Sequence, residues 1–430
     1  MMVSAVFFLA ERIALFYCIG LGFLTLEMAM LSLIGIKFSM LSLTVCIIPL
    51  IVAALLIKPG KGKSCNHNGT DPLSALENFF ILGISFELLY AFFRTLIMPM
   101  ESYDAIAIYA LKAKVFYINQ SIPHDFFSSF KNFVPHIEYP LLIPLAETFF
   151  YTLFGSLNDL LVKIIFPLYY VALLVVFYSA CRRFISRRQS LFFTFLLATI
   201  PQITDFATNG YADLPFAFYC SSAIFYLYLW IREKKGVFLI LSFILSALAI
   251  WTKSEGIMFA SINAVIAVIY TARGKPFNVK GYAYAVFSVL MVVVYVFAWE
   301  SVGLTVNSDF ASSQSSFLTR LISGFERIPQ ILYEYQIQFF GPKKWNIIWI
   351  LLIAATVWGA CVKVLSKDIL PLAISILLIL FGYSMVYILS SAPQGIGWHL
   401  STTGSRLFMH FVPVAVLFLA VLFNKLKLEI

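Results

Sequence analysis

Long apolar stretches alternate with short polar segments along the whole chain. A helix needs roughly 20 mostly apolar residues to cross the hydrocarbon core of a bilayer. Stretches of about this kind predict twelve spanning helices, at residues 13–35, 40–57, 77–98, 158–180, 189–204, 213–231, 236–251, 256–271, 281–300, 345–363, 369–389 and 407–424. The pattern therefore predicts an all-α fold, a polytopic bundle of transmembrane helices.

The apolar stretch at 139–155 is either a thirteenth span or a helix that lies along the outer membrane surface. Cytoplasmic loops of membrane proteins are enriched in Lys and Arg. With a surface helix and a cytoplasmic N-terminus, 17 of the 30 basic residues fall in six short inside loops, at 58–63, 182–188, 232–235, 273–280, 363–367 and 425–427. A thirteenth span would place the first of these loops opposite the other five. The charge distribution favours an outer juxtamembrane helix.

The composition agrees with a membrane protein. Hydrophobic residues make up 61% of the chain, charged residues make up 12%, and the mean hydropathy is +0.91. Soluble domains carry about 25% charged residues. The net charge of +9 does not indicate nucleic-acid binding, because the basic residues stand in short clusters between apolar runs. The six cysteines lack metal-ligand or CxxC spacing, which predicts free thiols.

The predicted topology places two long polar segments outside, at 99–157 and 301–344. In the first, Asp104 follows Pro99 at the membrane boundary. An aspartate there can accept a proton from a hydroxyl group, or it can cap the helix that follows. Lys112 and Lys114 come next on that helix and are candidate substrate-binding cations.

The same loop continues with a polar motif between two prolines. His136 and Glu138 could bind a substrate or a metal ion, and Tyr139 stands beside them at the entry to the surface helix. Ordinary loop polarity also explains these residues. The prolines fix the backbone at both ends of the motif.

Polar residues recur at the outer ends of later spans. Asp213 begins a span, as a helix-starting residue or as a second carboxylate of a two-acid site. Lys253 and Glu255 lie in a tight turn, as interfacial side chains or as phosphate-binding groups. Arg406 opens the last span with His410 one turn later, and its guanidinium can bind a phosphate or anchor the helix at the membrane edge.

The order of these motifs resembles that of the GT-C superfamily of membrane glycosyltransferases, which includes protein O-mannosyltransferases and the lipid A aminoarabinose transferase. The likeness runs from about residue 98 to 421 and rests on short motifs. They are SYDAIAIYALKAK at 102–114, EYPLLIPLAETFFYTLFG at 138–155, CRRFISRR at 181–188, NGYADLP at 209–215, WTKSEG at 251–256 and GSRLFMHFVP at 404–413.

The resemblance implies a reaction and roles for these residues. Asp104 would deprotonate an acceptor hydroxyl, which attacks C1 of a sugar carried on a polyprenyl phosphate, with inversion. Lys253 and Arg406 would hold the phosphate, with Lys112 and Lys114 behind them. Asp213 and Glu138 would position substrate or base, or hold a divalent metal where a relative uses one. The acceptor would be a lipid, a glycan or a protein.

The resemblance also implies an organisation of the chain. Residues 76–424 would form the catalytic domain in the cytoplasmic membrane, with its active site on the outer face and segment 301–344 as an acceptor-side lid. Residues 1–75 would form an N-terminal extension of two helices and a cytoplasmic loop. The residue after Asp104 is Ala105 rather than a second acid, so metal dependence stays open.

Two other classes of protein compete with this interpretation. A transporter or lipid flippase predicts polar residues at mid-membrane and internally repeated halves, whereas here the polar clusters lie at one face and no repeat is found. A polysaccharide polymerase or ligase would depend on Arg406 and His410 and leave Asp104 dispensable.

Overall fold

The computed structural model describes residues 2–45, 48, 72–129, 133–272, 279–301, 317–390 and 395–428. Throughout these ranges the regular structure is helical and no strand occurs, which confirms the predicted all-α class. Most of the predicted span 40–57 lies outside the described residues, as do Cys46 and Cys65. The other four cysteines are free thiols.

The described helices are numbered here in chain order. The first ten are α1 (Met2–Leu33), α2 (Ala75–Ile97), the π-helical α3 (Asp104–Ala110), α4 (Leu111–Asn119), α5 (Phe126–Ser129), α6 (Leu142–Phe154), α7 (Asp159–Val162), α8 (Ile165–Cys181), α9 (Arg187–Ala198) and α10 (Pro201–Phe206). The next ten are α11 (Asp213–Glu233), α12 (Gly236–Thr252), α13 (Gly256–Ala272), α14 (Val279–Ser301), α15 (Phe317–Gly324), α16 (Ile328–Phe340), α17 (Pro342–Trp345), α18 (Ile348–Cys361), α19 (Leu370–Leu389) and α20 (Ile396–Lys425).

The described part of the chain has the helices of a multi-pass membrane protein. Six helical segments are long and apolar enough to cross a membrane, namely Leu9–Leu33, Ala75–Ile97, Asp159–Cys181, Asp213–Glu233, Leu370–Leu389 and Ile396–Lys425. Shorter apolar helices occur at α6, α12, α13, α18 and within α14. The exact number of twelve spans is not confirmed by these lengths.

Helix α6 covers the stretch for which the sequence predicts a surface helix. Its 13 residues rise about 20 Å, which is shorter than the roughly 30 Å hydrocarbon core. Gly155 ends the helix in the left-handed region, with φ 65°. That this helix lies along the outer membrane surface stays a prediction.

Glu147 on α6 gives a prediction about stability. Its side chain is fully buried and neither carboxyl oxygen has a hydrogen-bond partner among the described residues. Burial, and then the charge of Asp159, raise the pKa of Glu147, while Lys114 opposes them. The folded protein therefore keeps the carboxyl protonated at pH values where the unfolded chain has released the proton. This difference destabilises the wild type as the pH rises above about 4.5.

We expect Glu147→Gln to remove this pH dependence, because the amide does not titrate. Thermal unfolding in detergent should give similar midpoints for variant and wild type at pH 4. By pH 8 the variant should unfold a few degrees higher. Glu326→Gln, at an exposed position of segment 301–344, serves as the control and should follow the wild type. A constant difference between Glu147→Gln and wild type across this range would contradict the burial argument.

Two predicted boundaries are wrong. The predicted span 189–204 is broken at Ile200, which is extended, and Pro201 then starts the separate helix α10; the residue before a proline is driven out of the helical region. The last helix begins at Ile396 rather than at 407. Its first turns carry Gly, Ser and Thr, which resemble a loop in sequence, yet Gly395 with φ 85° makes the turn and the helix starts directly after it.

Helix α11 is the centre of the bundle. Its apolar window is entirely buried, and it packs against α8, α12, α13 and α20. Helix α1 packs on this centre as well, since the Tyr219 hydroxyl donates to the Cys18 carbonyl at 2.7 Å and the Trp251 indole donates to Thr25 at 3.0 Å. The N-terminal helix is therefore part of the bundle, while the boundary at residue 75 stays a prediction.

Candidate functional site

Four distant segments converge at one end of α11. Asp104 is the first residue of the π-helical α3, and Asp213 is the first residue of α11. Lys253 lies in the turn between α12 and α13, and Arg406 lies three turns inside α20. π-helical turns are rare and occur frequently at functional sites.

Arg406 joins the two aspartates. Its Nη1 lies 2.7 Å from Asp104 Oδ2. On the other edge of the guanidinium, Nε donates to Asp213 Oδ1 at 3.2 Å and Nη2 donates to Asp213 Oδ2 at 3.0 Å. This is a bidentate contact, which only the planar fork of an arginine makes. The guanidinium therefore fixes the position of Asp104 relative to the buried start of α11.

Asp213 is also held by Lys253 and His410. The Lys253 ammonium lies 3.0 Å from Asp213 Oδ1 and 3.3 Å from Glu255 Oε1, and His410 Nε2 lies 2.9 Å from Asp213 Oδ1. Burial alone would lower the pKa of Lys253, but Asp213 and Glu255 outweigh it and raise that pKa. The ammonium is therefore charged at neutral pH.

Aromatic residues for which the sequence predicts no role surround these groups. The Arg406 guanidinium lies over the ring of Tyr211, 4.8 Å from its centroid. Tyr383 on α19 hydrogen-bonds His410 Nδ1 through its hydroxyl at 2.7 Å, and Phe216 contacts the His410 ring edge to face. Tyr383 has no motif around it that could have identified it.

Lys112 is not available to bind a phosphate. Its side chain is fully buried, and its ammonium donates to the carbonyls of His136, Ile137 and Tyr139 at 2.8, 3.2 and 3.4 Å. Burial lowers the pKa of Lys112 to about 7, although Glu138 acts to raise it. The lysine fastens the segment that carries the His-x-Glu motif.

That segment forms a compact polar unit beside the Asp104 cluster, which consists of Asp104, Asp213, Lys253, Arg406 and His410. His136 has a positive φ of 47°, its ring stacks on Tyr139 with centroids 4.6 Å apart, and its Nδ1 lies 3.4 Å from Glu138 Oε1. Lys114 points elsewhere and pairs with Asp159 at 2.7 Å. The sequence candidates therefore divide into the Asp104 cluster, this neighbouring unit, and Lys114 apart from both.

Exposure separates the two aspartates of the cluster. Asp213 has 0% side-chain exposure, whereas 17% of Asp104 is exposed. Of the two, only Asp104 can meet a substrate without rearrangement. Within the described ranges, no group of three or more His, Cys, Asp and Glu side chains is arranged to hold a metal ion.

Part of the chain matches the model of a known protein family. Residues 138–299 match the family model described as dolichyl-phosphate-mannose-protein mannosyltransferase. The matched segment contains Glu138, Asp213 and Lys253, while Asp104 and Arg406 lie outside it. The match confirms the resemblance to the GT-C glycosyltransferases. A search of curated proteins finds no match.

Two solved structures are similar in part. The Archaeoglobus fulgidus oligosaccharyltransferase in complex with zinc and sulfate superposes with a TM-score of 0.46 at 13% identity, over 82% of this chain and 50% of that chain. The archaeal oligosaccharyltransferase AglB from Archaeoglobus fulgidus, in complex with an inhibitory peptide and a dolichol-phosphate, gives 0.47 and 13%, over 83% and 52%. This chain spans about half the length of either.

Proposed function

We propose that this chain is a multi-pass membrane glycosyltransferase of the GT-C type and that it catalyses a specific reaction. The chain transfers a sugar from a polyprenyl-phosphate donor to an acceptor hydroxyl, with inversion at C1. Asp104 is the general base. The reaction takes place on the non-cytoplasmic face of the cytoplasmic membrane, away from the short basic loops. The family description, which names a dolichyl-phosphate-linked mannose, supports this class of donor.

The observation that carries the proposal is the ion pair between Asp104 and Arg406. Arg406 Nη1 engages a single carboxylate oxygen of Asp104 at 2.7 Å, so the second oxygen remains for a substrate hydroxyl. A base must lie within hydrogen-bond reach of the proton that it removes. The partly exposed Asp104, held in one orientation, meets this requirement.

The reaction balances without a further reagent. The acceptor O–H gives its proton to Asp104 while the acceptor oxygen forms a bond to C1 of the sugar. The bond between C1 and the phosphate oxygen breaks, and its electrons leave with the polyprenyl phosphate. Because the acceptor approaches C1 opposite the leaving group, a single displacement inverts the anomeric configuration.

Two cations in the cluster suit the departing phosphate. Arg406 uses Nε, Nη1 and Nη2 for the two aspartates, and each Nη carries a second N–H. The ammonium of Lys253 carries three donors and contacts two carboxylates. The donors that remain can stabilise charge as it develops on the phosphate oxygens.

The other candidates have positioning roles in this proposal. Asp213 is fully buried and holds Arg406, Lys253 and His410 in place. Glu138, His136 and the adjoining Tyr139 would help to position the substrate, in a segment whose backbone Lys112 holds. Helices α15 to α17 form the described part of the proposed acceptor-side lid.

A transfer assay with the purified protein tests the proposal. The protein is incubated with an α-linked or a β-linked polyprenyl-phosphate sugar and a set of lipid, glycan and peptide acceptors. The product linkage is then determined by NMR. We expect one anomer of the donor to react and the product to have the opposite configuration. Retention of configuration, or equal turnover of a nucleotide sugar, would exclude the proposed single displacement from a lipid donor.

A further inference from the structure

Tyr109 lies in the same π-helical segment as Asp104, five residues later. Because a π-helix bonds residue i to residue i+5, these two residues lie on one face of the segment. The Tyr109 side chain is 1% exposed. Its hydroxyl is within electrostatic reach of Asp213, Arg406, Tyr139 and Asp104. The phenol therefore points into the cluster described above.

The hydroxyl of Tyr109 has no hydrogen-bond partner within the part of the chain that the structure describes. Buried hydroxyl groups in folded proteins almost always have a partner, because leaving one unpaired destabilises the fold. Arg406 binds both aspartates, and the Asp104 oxygen that it leaves free does not bond this hydroxyl. A partner for this hydroxyl has to come from outside the residues that the structure describes.

The chemistry of the phenol limits what that partner can be. Burial, and then the charge of Asp213, raise the pKa of Tyr109 well above its ordinary value. The hydroxyl therefore stays protonated, so it can donate a hydrogen bond but cannot act as a base. It stands beside a guanidinium, and a neutral donor next to a cation suits an anionic oxygen.

We infer that Tyr109 is a ligand-binding residue whose hydroxyl donates a hydrogen bond to a phosphate oxygen of the lipid-linked donor. This inference rests on the proposed function and adds a residue to its phosphate site. It also accounts for an unpaired hydroxyl in the middle of a charged cluster. The residue contacts the leaving group, while Asp104 on the same face contacts the acceptor.

The test compares two lipids that differ only in the phosphate. Binding of polyprenyl phosphate and of polyprenol to the purified protein in detergent is measured for the wild type and for Tyr109→Phe. We expect Tyr109→Phe to lower the affinity for polyprenyl phosphate about tenfold, the usual effect of losing a hydrogen bond to a charged group. Its affinity for polyprenol should stay within about twofold of wild type.

Tyr228→Phe is the matched control. Tyr228 is also buried, with 1% exposure and a hydroxyl without a partner among the described residues. It lies near the opposite end of α11 from Asp213 and contacts Phe184. Removing its hydroxyl changes the buried surface in the same way, far from the cluster. Tyr228→Phe should bind both lipids like the wild type.

The outcomes separate the inference from the function on which it depends. If the wild type binds the two lipids equally, the proposed donor class is wrong. If the wild type prefers the phosphate and Tyr109→Phe keeps that preference, the inference is overturned. Equal losses of affinity for both lipids in Tyr109→Phe would also overturn it, because the substitution would then affect binding of the polyprenyl chain and not of the phosphate.

Discussion

Asp104→Asn should lower kcat about 1,000-fold while the affinity for the polyprenyl-phosphate sugar changes by less than threefold. General base catalysis contributes roughly 100- to 10,000-fold, and an amide cannot accept the acceptor proton. The amide keeps the size and one oxygen of the carboxylate, so Arg406 retains a partner at the position where it now meets Oδ2 at 2.7 Å. Turnover and donor binding are measured separately on the purified protein.

Asp125→Asn is the control for this experiment. Asp125 is an exposed aspartate of the same segment, 99–157, where it accepts a hydrogen bond from the Ser129 hydroxyl, so the substitution should leave turnover within twofold of wild type. A transporter, or a polymerase or ligase that depends on Arg406 and His410, would keep most of its activity in Asp104→Asn. Retained turnover in that variant would therefore reject Asp104 as the base.

Arg406→Lys should lower kcat/KM about 100-fold although it preserves the charge. A lysine ammonium is a compact point charge and cannot form a side-on pair with one carboxylate while it also reaches a second. Asp213 would lose a bidentate contact in a site with 0% exposure. Loss of such contacts to a buried carboxylate costs about 1–3 kcal/mol, so the thermal midpoint should fall by several degrees as well.

Arg188→Lys is the matched substitution for this prediction. Arg188 is exposed in the first turn of α9, at the other end of the bundle. The same change of side chain there should leave both kcat/KM and the midpoint near the wild-type values. If Arg406→Lys also retained its activity, a positive charge alone would suffice at position 406. The bridge between the two aspartates would then have no catalytic importance.

The sequence predicts the membrane class and most helices because apolar length is the main signal of a span. The failures have local causes. Polar and small residues at 396–405 resemble a loop, yet one side of this stretch is buried against neighbouring helices, where Glu334 of α16 packs directly on Gly404 and the Tyr387 hydroxyl bonds Thr403. A polar stretch that faces a buried site cannot be told from an exposed one by its composition.

The site is predicted in part, for a related reason. Arg406 is conspicuous in sequence because the predicted topology places it outside while basic residues concentrate in the predicted inside loops, and Asp104 is conspicuous because it follows the end of a predicted span. Lys112 has the same appearance, but packing directs its ammonium to three backbone carbonyls. Only the three-dimensional arrangement distinguishes a lysine that binds a ligand from one that fastens a loop.

Tyr109 and Tyr383 lie at the site, but the sequence pattern does not identify either of them. The chain contains 22 tyrosines, most of which suit lipid-facing or core positions equally well. What singles out Tyr109 is a hydroxyl that has no partner among the described residues and lies beside the charged cluster, and what singles out Tyr383 is a bond to His410. Both properties depend on residues from other helices, so neither can be derived from the local pattern.

The central claim is that one site, built from distant segments, opens on the non-cytoplasmic face. Labelling with a membrane-impermeant maleimide in intact cells tests it, after the native cysteines are replaced by serine. We expect Glu101→Cys and Ser401→Cys, both exposed near the cluster, to react without permeabilisation, and Ser186→Cys in the opposite basic loop to react only after it. Reaction of positions 101 and 401 from different sides of the membrane would contradict the account.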